Sequence, residues 1–466
     1  MTTTESPTQA PSETPAAAAA ARPGAPAHPF PSLHWRHLPA EQQPEWPDSS
    51  RAARVQDRLA LWPALTAPAD VRRLASALAQ VRAGEAFLLQ AGDCAEPVGP
   101  AALPAARAKH KAIGTMAELV SDRLDLPTVT VGRLGGQHAK PRSKPSEWVE
   151  GRSLPVYRGD MVNGHAPDEA SRTPDPERMH RAYATARAVM NELQLLAHET
   201  AGERALRELS GTETVTDYPV RPWDGSLRSV LRGYGQTVPG RKGWTRTGLW
   251  TSHEALLLDY EQALVRRDSH TGQQYLLSTH FPWIGDRTRQ VGGAHVAFLA
   301  GIANPVACKV GPGMREDDLI EICGRIDPHR TPGRLTLISR LGVGHVRERL
   351  PEVVRAVRRA GHDVVWMCDP MHGNTITLGN GLKTRRVSDV LAELTGFFEV
   401  LGRAGVWPGG VHLEIAGEEV TECLGAGGCS SEEGLTRAYR TLCDPRLSNA
   451  QAYLVTDAVA DLLSGL

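Results

Sequence analysis

Between Val364 and Thr375 an apolar run, VVWM, gives way abruptly to Cys368, Asp369, His372 and Asn374, with Pro370 and Gly373 to turn the backbone. The pattern recurs along the chain. Other apolar runs end in Asp93, Cys94 and Glu96; in Arg133 followed by Gln137-His138-Ala139-Lys140-Pro141-Arg142-Ser143; and in His253-Glu254, His280, Lys309, Arg340 and Glu414. Arg133, Lys140, Arg142, Arg287, Lys309 and Arg340 are six cations that call for an anionic ligand if one cavity gathers them. Guanidinium forks hold carboxylate or phosphate through paired hydrogen bonds, and lysine adds a compact charge. Taken singly, such cations are more often solvated surface charges. Lys309 and Arg340 are harder to dismiss, because each ends or directly follows a buried apolar run, where an unpaired charge is costly. Cys94, His372, Glu414 and Asp444 offer a thiolate, an imidazole and two carboxylates, a set suited to manganese, iron, cobalt or zinc. No short metal motif joins these four, so ordinary buried polar residues are the competing reading.

Such residues need a frame that gathers strand ends. Runs rich in β-branched and apolar residues recur at Ala86–Gln90, Thr128–Val131, Gly248–Thr251, Tyr275–Ser278, Val306–Val310, Leu335–Ile338, Val364–Met367 and Val411–Ile415. Helical spacing appears between them, in Leu350, Val353, Val354 and Val357 and in Val387, Val390, Leu391 and Leu394. Alternating strands and helices predict a (β/α)8 TIM barrel, in which all the strand ends above open on one face. The interval from Pro141 to Gly248 must then hold helices outside the barrel repeat. Residues 1–34, rich in Ala, Pro, Thr and Ser, read as a disordered tail. Residues 35–466 read as a single catalytic barrel domain with inserted helices and an N-terminal arm, EQQPEWPD at 41–48, whose prolines forbid a helix.

Bulk composition excludes several classes. Lys+Arg 52 against Asp+Glu 53 leaves a net charge of -1, so no global field draws nucleic acid or an acidic membrane. No apolar stretch approaches the roughly 20 residues of a membrane span. Seven scattered cysteines without a C-x-x-C pair favour a reducing compartment over a disulfide framework or a zinc ribbon. The start, MTTTE, lacks the basic region of a secretory signal, and a cytoplasmic location is expected. Ser278-Thr279-His280 has no nucleophile elbow around it. Gly311-Pro312-Gly313 reads as a turn, and Trp283 and Trp366 as barrel packing.

Longer strings carry a resemblance. LLQAGDCAE (88–96), VGRLGGQHAKPRS (131–143), LPVYRGDMVNG (154–164), TSHEALLLDYE (251–261), HFPWIGDRTRQ (280–290), IANPVACKVGP (302–312), CDPMHGNT (368–375), GLKTR (381–385), PGGVHLEIAGEEVTECLG (408–425) and CDPRL (443–447) closely resemble the class II, plant-like 3-deoxy-D-arabino-heptulosonate 7-phosphate (DAHP) synthases, from about Trp35 to the C-terminus. The resemblance implies a barrel transferase, 3-deoxy-7-phosphoheptulonate synthase. It would condense phosphoenolpyruvate with D-erythrose 4-phosphate and release phosphate at the entry to the shikimate pathway, with secondary metabolism as a further destination. By motif, Cys94, His372, Glu414 and Asp444 fall on the family's ligands for a divalent metal, manganese foremost and cobalt or another divalent ion as alternatives. Arg133, Arg287, Lys309 and Arg340 fall on its phosphoenolpyruvate contacts, and Lys140, Arg142 and Ser143 on the stretch serving the aldose phosphate. Lys140 is expected to assist proton transfer. Asp286, where the family commonly carries glutamate, is the second expected catalytic residue, its shorter reach bearing on water or on Arg287. A homodimer or larger homo-oligomer is the family expectation.

Two alternatives share these residues: an aminoDAHP synthase using an imino sugar phosphate, and a non-catalytic sugar-phosphate sensor or scaffold. The interval from about Leu196 to Lys242 matches poorly, so feedback inhibition by aromatic amino acids does not carry over. Cys443, beside Asp444, is expected within disulfide reach of Cys94, which would make oxidation an off-switch.

Overall fold

The computed structural model describes Met1 and residues 34–198 and 249–466. The expected tail and most of the interval Leu196–Lys242 lie outside the described residues. Eight strands run parallel: β1 Phe87–Gly92, β2 Thr128–Arg133, β3 Trp250–Thr251, β4 Trp283–Ile284, β5 Val306–Val310, β6 Leu335–Ser339, β7 Val365–Cys368 and β8 Gly410–Glu414. Their hydrogen-bonded order is β3-β2-β1-β8-β7-β6-β5-β4. The two edges of this order then meet. Trp283 N donates to His253 O at 3.1 Å and Ala255 N to Trp283 O at 3.0 Å, with a parallel bridge at Glu254 and Trp283. Closure abolishes the free edges, and the expected (β/α)8 barrel is the architecture observed.

Alternation along each strand sorts its side chains between two layers. Leu88, Val129, Val131, Trp283, Ala307, Ile338, Val365 and Met367 fill the barrel interior, where Leu74, Leu78 and Val81 of the helix Pro68–Arg82 join them. Phe87, Leu89, Val306, Cys308, Leu337, Trp366, Cys368, Val411 and Leu413 face the outer helices, including Val346–Arg359 and Val387–Arg403, whose apolar stripes are buried as their spacing predicts. The same parity turns Lys309, His412 and Glu414 inward, at the carboxyl end of the barrel, and leaves Cys368 packed away from it.

One expected strand is corrected. Tyr275–Ser278 contributes no barrel strand; residues 274–276 pair antiparallel with 265–267 in a small hairpin. The fourth barrel strand is the two-residue Trp283–Ile284, wedged between Pro282, which has no N–H to give a ladder, and Gly285. The hairpin run is longer and more apolar, and length misled the reading.

Part of the long interval holds helices as expected, Glu169–Arg172 and Arg178–His198, and a hairpin at 146–155 that the reading did not foresee. The N-terminal arm lies extended against the body. Trp35 meets Phe298 edge to face at 5.3 Å, and Trp46 Nε1 donates to Asp259 Oδ2 at 2.8 Å. Among the described residues no helix is long and apolar enough to cross a membrane.

Candidate active site

Register brings the first two groups together. Gly92, at the end of β1, pairs with Arg133 on one side and Glu414 on the other, so three strands finish at one level. Only glycine fits there: φ is +147°, and a Cβ would lie 2.7 Å from Arg133 O. Cys94 lies two residues beyond Gly92. Its thiol, a Glu414 oxygen and an Asp444 oxygen lie within 4.8 Å of one another. His372, in a single 3-10 turn after β7, adjoins this trio with Nε2 3.0 Å from Glu414 Oε1.

Neighbours hold these donors in place. Asp369 Oδ2 lies 2.8 Å from His372 Nδ1 and leaves Nε2 directed at Glu414, an orienting part suited to a metal-binding histidine. Asp369, His372 and His412 also form a close trio. However, His412 spends Nε2 on Arg133 and Nδ1 on Gln90 Oε1, at 2.9 Å for the latter, so the trio has fewer donors to spare. Beneath Cys94, Asp93 accepts from Lys109 Nζ at 2.7 Å, from Arg446 Nη1 at 3.0 Å and from Cys94 N at 2.9 Å. Arg446 in turn meets Glu422 at 2.8 Å, which ties the Asp444 loop to the end of β1.

The electrostatics suit a cation. Burial would raise the Glu414 carboxyl, but His372, Lys140, Arg385 and Arg133 hold it well below the usual glutamate range. Burial is likewise overcome at Asp444, chiefly by Lys140, and its carboxyl is also lowered. The Cys94 thiol is pushed well up by burial, by its hydrogen bond with Cys443 and by the two carboxylates, against Lys140. Lys140 Nζ touches three of the four donors, at 3.1 Å from Cys94 Sγ, 2.9 Å from Asp444 Oδ2 and 3.4 Å from Glu414 Oε1. A cluster that gathers one positive charge by three of its donor atoms fits a divalent ion, which would also stabilise the thiolate. Cys94 and Cys443 are both free and buried, and they pack in one cluster with Tyr157.

A cavity of about 420 Å³ opens above the quartet, and Arg133, Lys140, Arg142, Arg287, Lys309 and Arg340 all line it. Arg133 is buried, donates from Nε to Asp93 O at 2.9 Å and pairs with Glu414 at 3.0 Å. Lys309 pairs with Asp369. Both cations lie against Trp283, at 5.1 and 5.8 Å from its ring centre, so this residue is a wall of the site as well as packing. Arg340 Nη2 donates to His372 O at 3.1 Å. Arg287 is exposed at the mouth, donating to Ser143 Oγ at 2.6 Å, and Arg142 pairs with Glu147 at 3.0 Å.

Asp286 departs from its expected part. It holds neither Arg287 nor a free position: one oxygen accepts from Arg289 at 2.8 Å and the other from Arg340 at 2.9 Å. The shorter side chain is thus committed to orienting Arg340.

Three participants escaped the strand-end reading. Arg385 and Lys383, both in GLKTR, come from a hairpin between β7 and β8. Arg385 is fully buried with Nη1 2.8 Å from Glu414 Oε2, and Lys383 Nζ is 2.9 Å from Asp444 Oδ1. Their signal was two cations in a short motif outside any strand. The third, Gln42 in the arm, has φ +63°. It accepts from Arg142 N at 2.8 Å through Oε1 and from Arg158 at 2.6 Å through its carbonyl, so the arm braces the loop that carries Arg142 and Ser143.

Known proteins share this arrangement's sequence. Residues 31–460 match the class-II DAHP synthetase family. A phospho-2-dehydro-3-deoxyheptonate aldolase of Streptomyces coelicolor is 42% identical over 438 residues, covering 92% of this chain and 96% of the relative. The AroG protein of the same name from Mycolicibacterium smegmatis is 41% identical over 435 residues, covering 91% and 93%. Among solved structures, a phospho-2-dehydro-3-deoxyheptonate aldolase from Francisella tularensis superposes with a TM-score of 0.51 over 89% of this chain and 96% of its own, at 12% identity, which speaks to the fold alone. With the match spanning nearly the whole chain, including every strand that carries the quartet and the cations, the chain belongs to the class-II DAHP synthetase family.

Proposed function

We propose that the protein condenses phosphoenolpyruvate with D-erythrose 4-phosphate to give DAHP and inorganic phosphate. The observation that carries this reading is the convergence of Arg133, Lys309, Arg340 and Arg287 on one cavity beside the Cys94–Glu414–Asp444 trio, whose Glu414 is also met by His372. Three of these cations are already partnered by Glu414, Asp369 and Asp286, so their geometry is set before an anion arrives. All four anchor the carboxylate and phosphate of phosphoenolpyruvate, while Arg142 and Ser143 at the mouth take the phosphate of the acceptor.

The enol carbon C3 of phosphoenolpyruvate bonds to the aldehyde carbon, and the aldehyde oxygen takes a proton. Lys140 supplies it. Burial disfavours its ammonium, yet Asp444, Cys94 and Glu414 keep the proton on well above neutrality, so it is loaded when the acceptor binds. Cys94, His372, Glu414 and Asp444 would hold a divalent ion, manganese foremost with cobalt as an alternative, which would supply Lewis acidity toward the carbonyl oxygen. Water then adds at C2, and the C2–O bond to phosphate breaks. A cytoplasmic homo-oligomer completes the reading, and the seven free cysteines suit a reducing compartment.

Purified protein given both substrates and manganese should release phosphate. Treatment with a chelator should remove the bound ion, read by elemental analysis, and reduce phosphate release to background until a divalent ion is restored. Persistent full release from metal-free protein would sink the assignment of the quartet. The arm is expected to matter for one substrate only. Gln42→Ala removes the bond to Arg142 N and should raise KM for erythrose 4-phosphate by about two- to tenfold, the worth of one hydrogen bond, and leave KM for phosphoenolpyruvate unchanged in steady-state kinetics.

A further inference from the structure

Four carboxylates line the cavity: Glu147, Glu254, Asp286 and Asp444. Three are claimed by ion pairs, Glu147 with Arg142 and Arg172, Asp286 with Arg289 and Arg340, Asp444 with Lys140 and Lys383. Glu254 has no ion pair among the described residues, and its shielded Oε1 has no hydrogen-bond partner. Such an orphan is costly, and unlike Glu414, whose Oε2 is met by Arg385 at 2.8 Å, Glu254 has no cation paired with it among the described residues.

Its placement is built. Glu254 stands at the seam that closes the barrel, bridged to Trp283. Gln137 Oε1 accepts from its N–H at 3.1 Å, and the preceding His253 is tied to Glu261 at 2.8 Å. Across the seam, Gly285 leaves room for the carboxyl: a Cβ there would sit 1.9 Å from Oε1. The charged groups that face it come from four sides: Lys140 after β2, Lys309 on β5, Arg287 after β4 and His372 after β7. Lys309 and Arg287 belong to the phosphoenolpyruvate anchors; Lys140 and His372 border the acceptor. Glu254 therefore stands between the two groups of residues, where C2 and C3 of the enol would lie. Burial raises its proton affinity above that of an ordinary glutamate in spite of these four neighbours.

Resting on the synthase reading above, we propose that Glu254 is the base that accepts a proton from the water adding to C2 of phosphoenolpyruvate. The protons balance. As C3 bonds to the aldehyde carbon, C2 becomes electron-poor and the new alkoxide takes a proton from Lys140. The water oxygen bonds to C2 and releases one proton to Glu254, replacing in the overall count the one that Lys140 gave. The remaining hydroxyl proton of the hemiketal phosphate passes to the departing phosphate oxygen as the C2–O bond breaks, leaving a ketone and hydrogen phosphate. While ionised, the carboxylate also faces the positive charge that builds at C2.

Glu254→Gln keeps the shape of the side chain and removes the base. Its kcat is expected to fall by about 10²-fold or more, with KM for phosphoenolpyruvate changed less than about threefold and with the acidic limb of the kcat–pH profile gone from the residual activity. Glu254→Asp should recover part of kcat and keep that limb, and a thermal melt of each variant reports whether the fold is intact. Wild-type phosphate release in the same assay keeps failure here distinct from failure of the synthase reading. A Gln variant with near wild-type kcat and an unchanged acidic limb would overturn the proposal. So would one whose loss lies wholly in KM with the limb retained, since that marks an anchor and not a base.

Discussion

Glu414→Gln should abolish measurable turnover and cost the fold about 3–5 kcal/mol, the typical penalty for removing one member of a buried charge cluster. Glu414 is fully buried and is reached by Arg385 Nη1 at 2.8 Å, Arg133 Nη2 and His372 Nε2 at 3.0 Å, and Lys140 Nζ at 3.4 Å. Glutamine preserves volume, but it removes the one negative charge these groups share and turns an N–H₂ toward Arg385 or His372. Urea unfolding of wild type and variant measures the first effect, and phosphate release the second. The sign of the pH dependence follows from the lowered carboxyl. Its stabilisation is complete above the ordinary glutamate value and is lost as pH falls through the lower folded value. The variant should therefore lose less stability than wild type between neutral and acidic pH. A variant with the wild-type unfolding midpoint would show that the cations find other partners.

Lys309→Met should reduce kcat/KM for phosphoenolpyruvate by about 10²-fold or more, as expected when a buried, hydrogen-bonded charge loses its partner, roughly 2–5 kcal/mol. Wild type should already reveal this residue in its pH dependence. Burial, with Arg133 and Arg340 nearby, pushes the Lys309 ammonium down to about 8 against the pull of Asp369. Below that pH the lysine carries its charge; above it the charge fades, and KM for phosphoenolpyruvate should climb. Lys309→Arg, whose guanidinium keeps its proton throughout, should flatten the alkaline rise even where its altered shape lowers the plateau. For stability the sign is opposite to that at Glu414. The unfolded chain binds more protons between about 8 and the ordinary lysine value of 10.5, so this residue's contribution improves as pH rises through that window. An unchanged alkaline limb in Lys309→Arg would assign the titration to another group.

Much of this site was legible because chemistry-bearing residues fall where apolar runs stop. Cys94, Arg133, Lys309, Arg340, His372 and Glu414 all end or follow barrel strands, and a parallel barrel turns such ends to one face. The strand that misled, Tyr275–Ser278, did so because local apolar content cannot tell a barrel strand from a hairpin edge, whereas Trp283–Ile284 is too short to register as a run. Arg385 and Lys383 were unreadable for another reason. Their hairpin has no periodicity that places it over β8, and only packing brings Arg385 to Glu414.

Residue type, order and spacing were enough to set the family, the alternating architecture and the inventory of donors and cations. They also set side-chain parity within a strand, so that Cys368 and Asp369, neighbours in one motif, part to opposite sides. Tertiary structure decided what each charged group meets. Glu254 and Glu414 are both glutamates at strand ends, yet one is enclosed by four proton-donating side chains and the other faces the cavity without a partner. That difference depends on the register of β1 against β2 and β8 and on the seam between β3 and β4, relations between segments far apart in the chain. Proton affinity follows from those distances and from burial, which is why the inventory could be read before the fold and the roles could not.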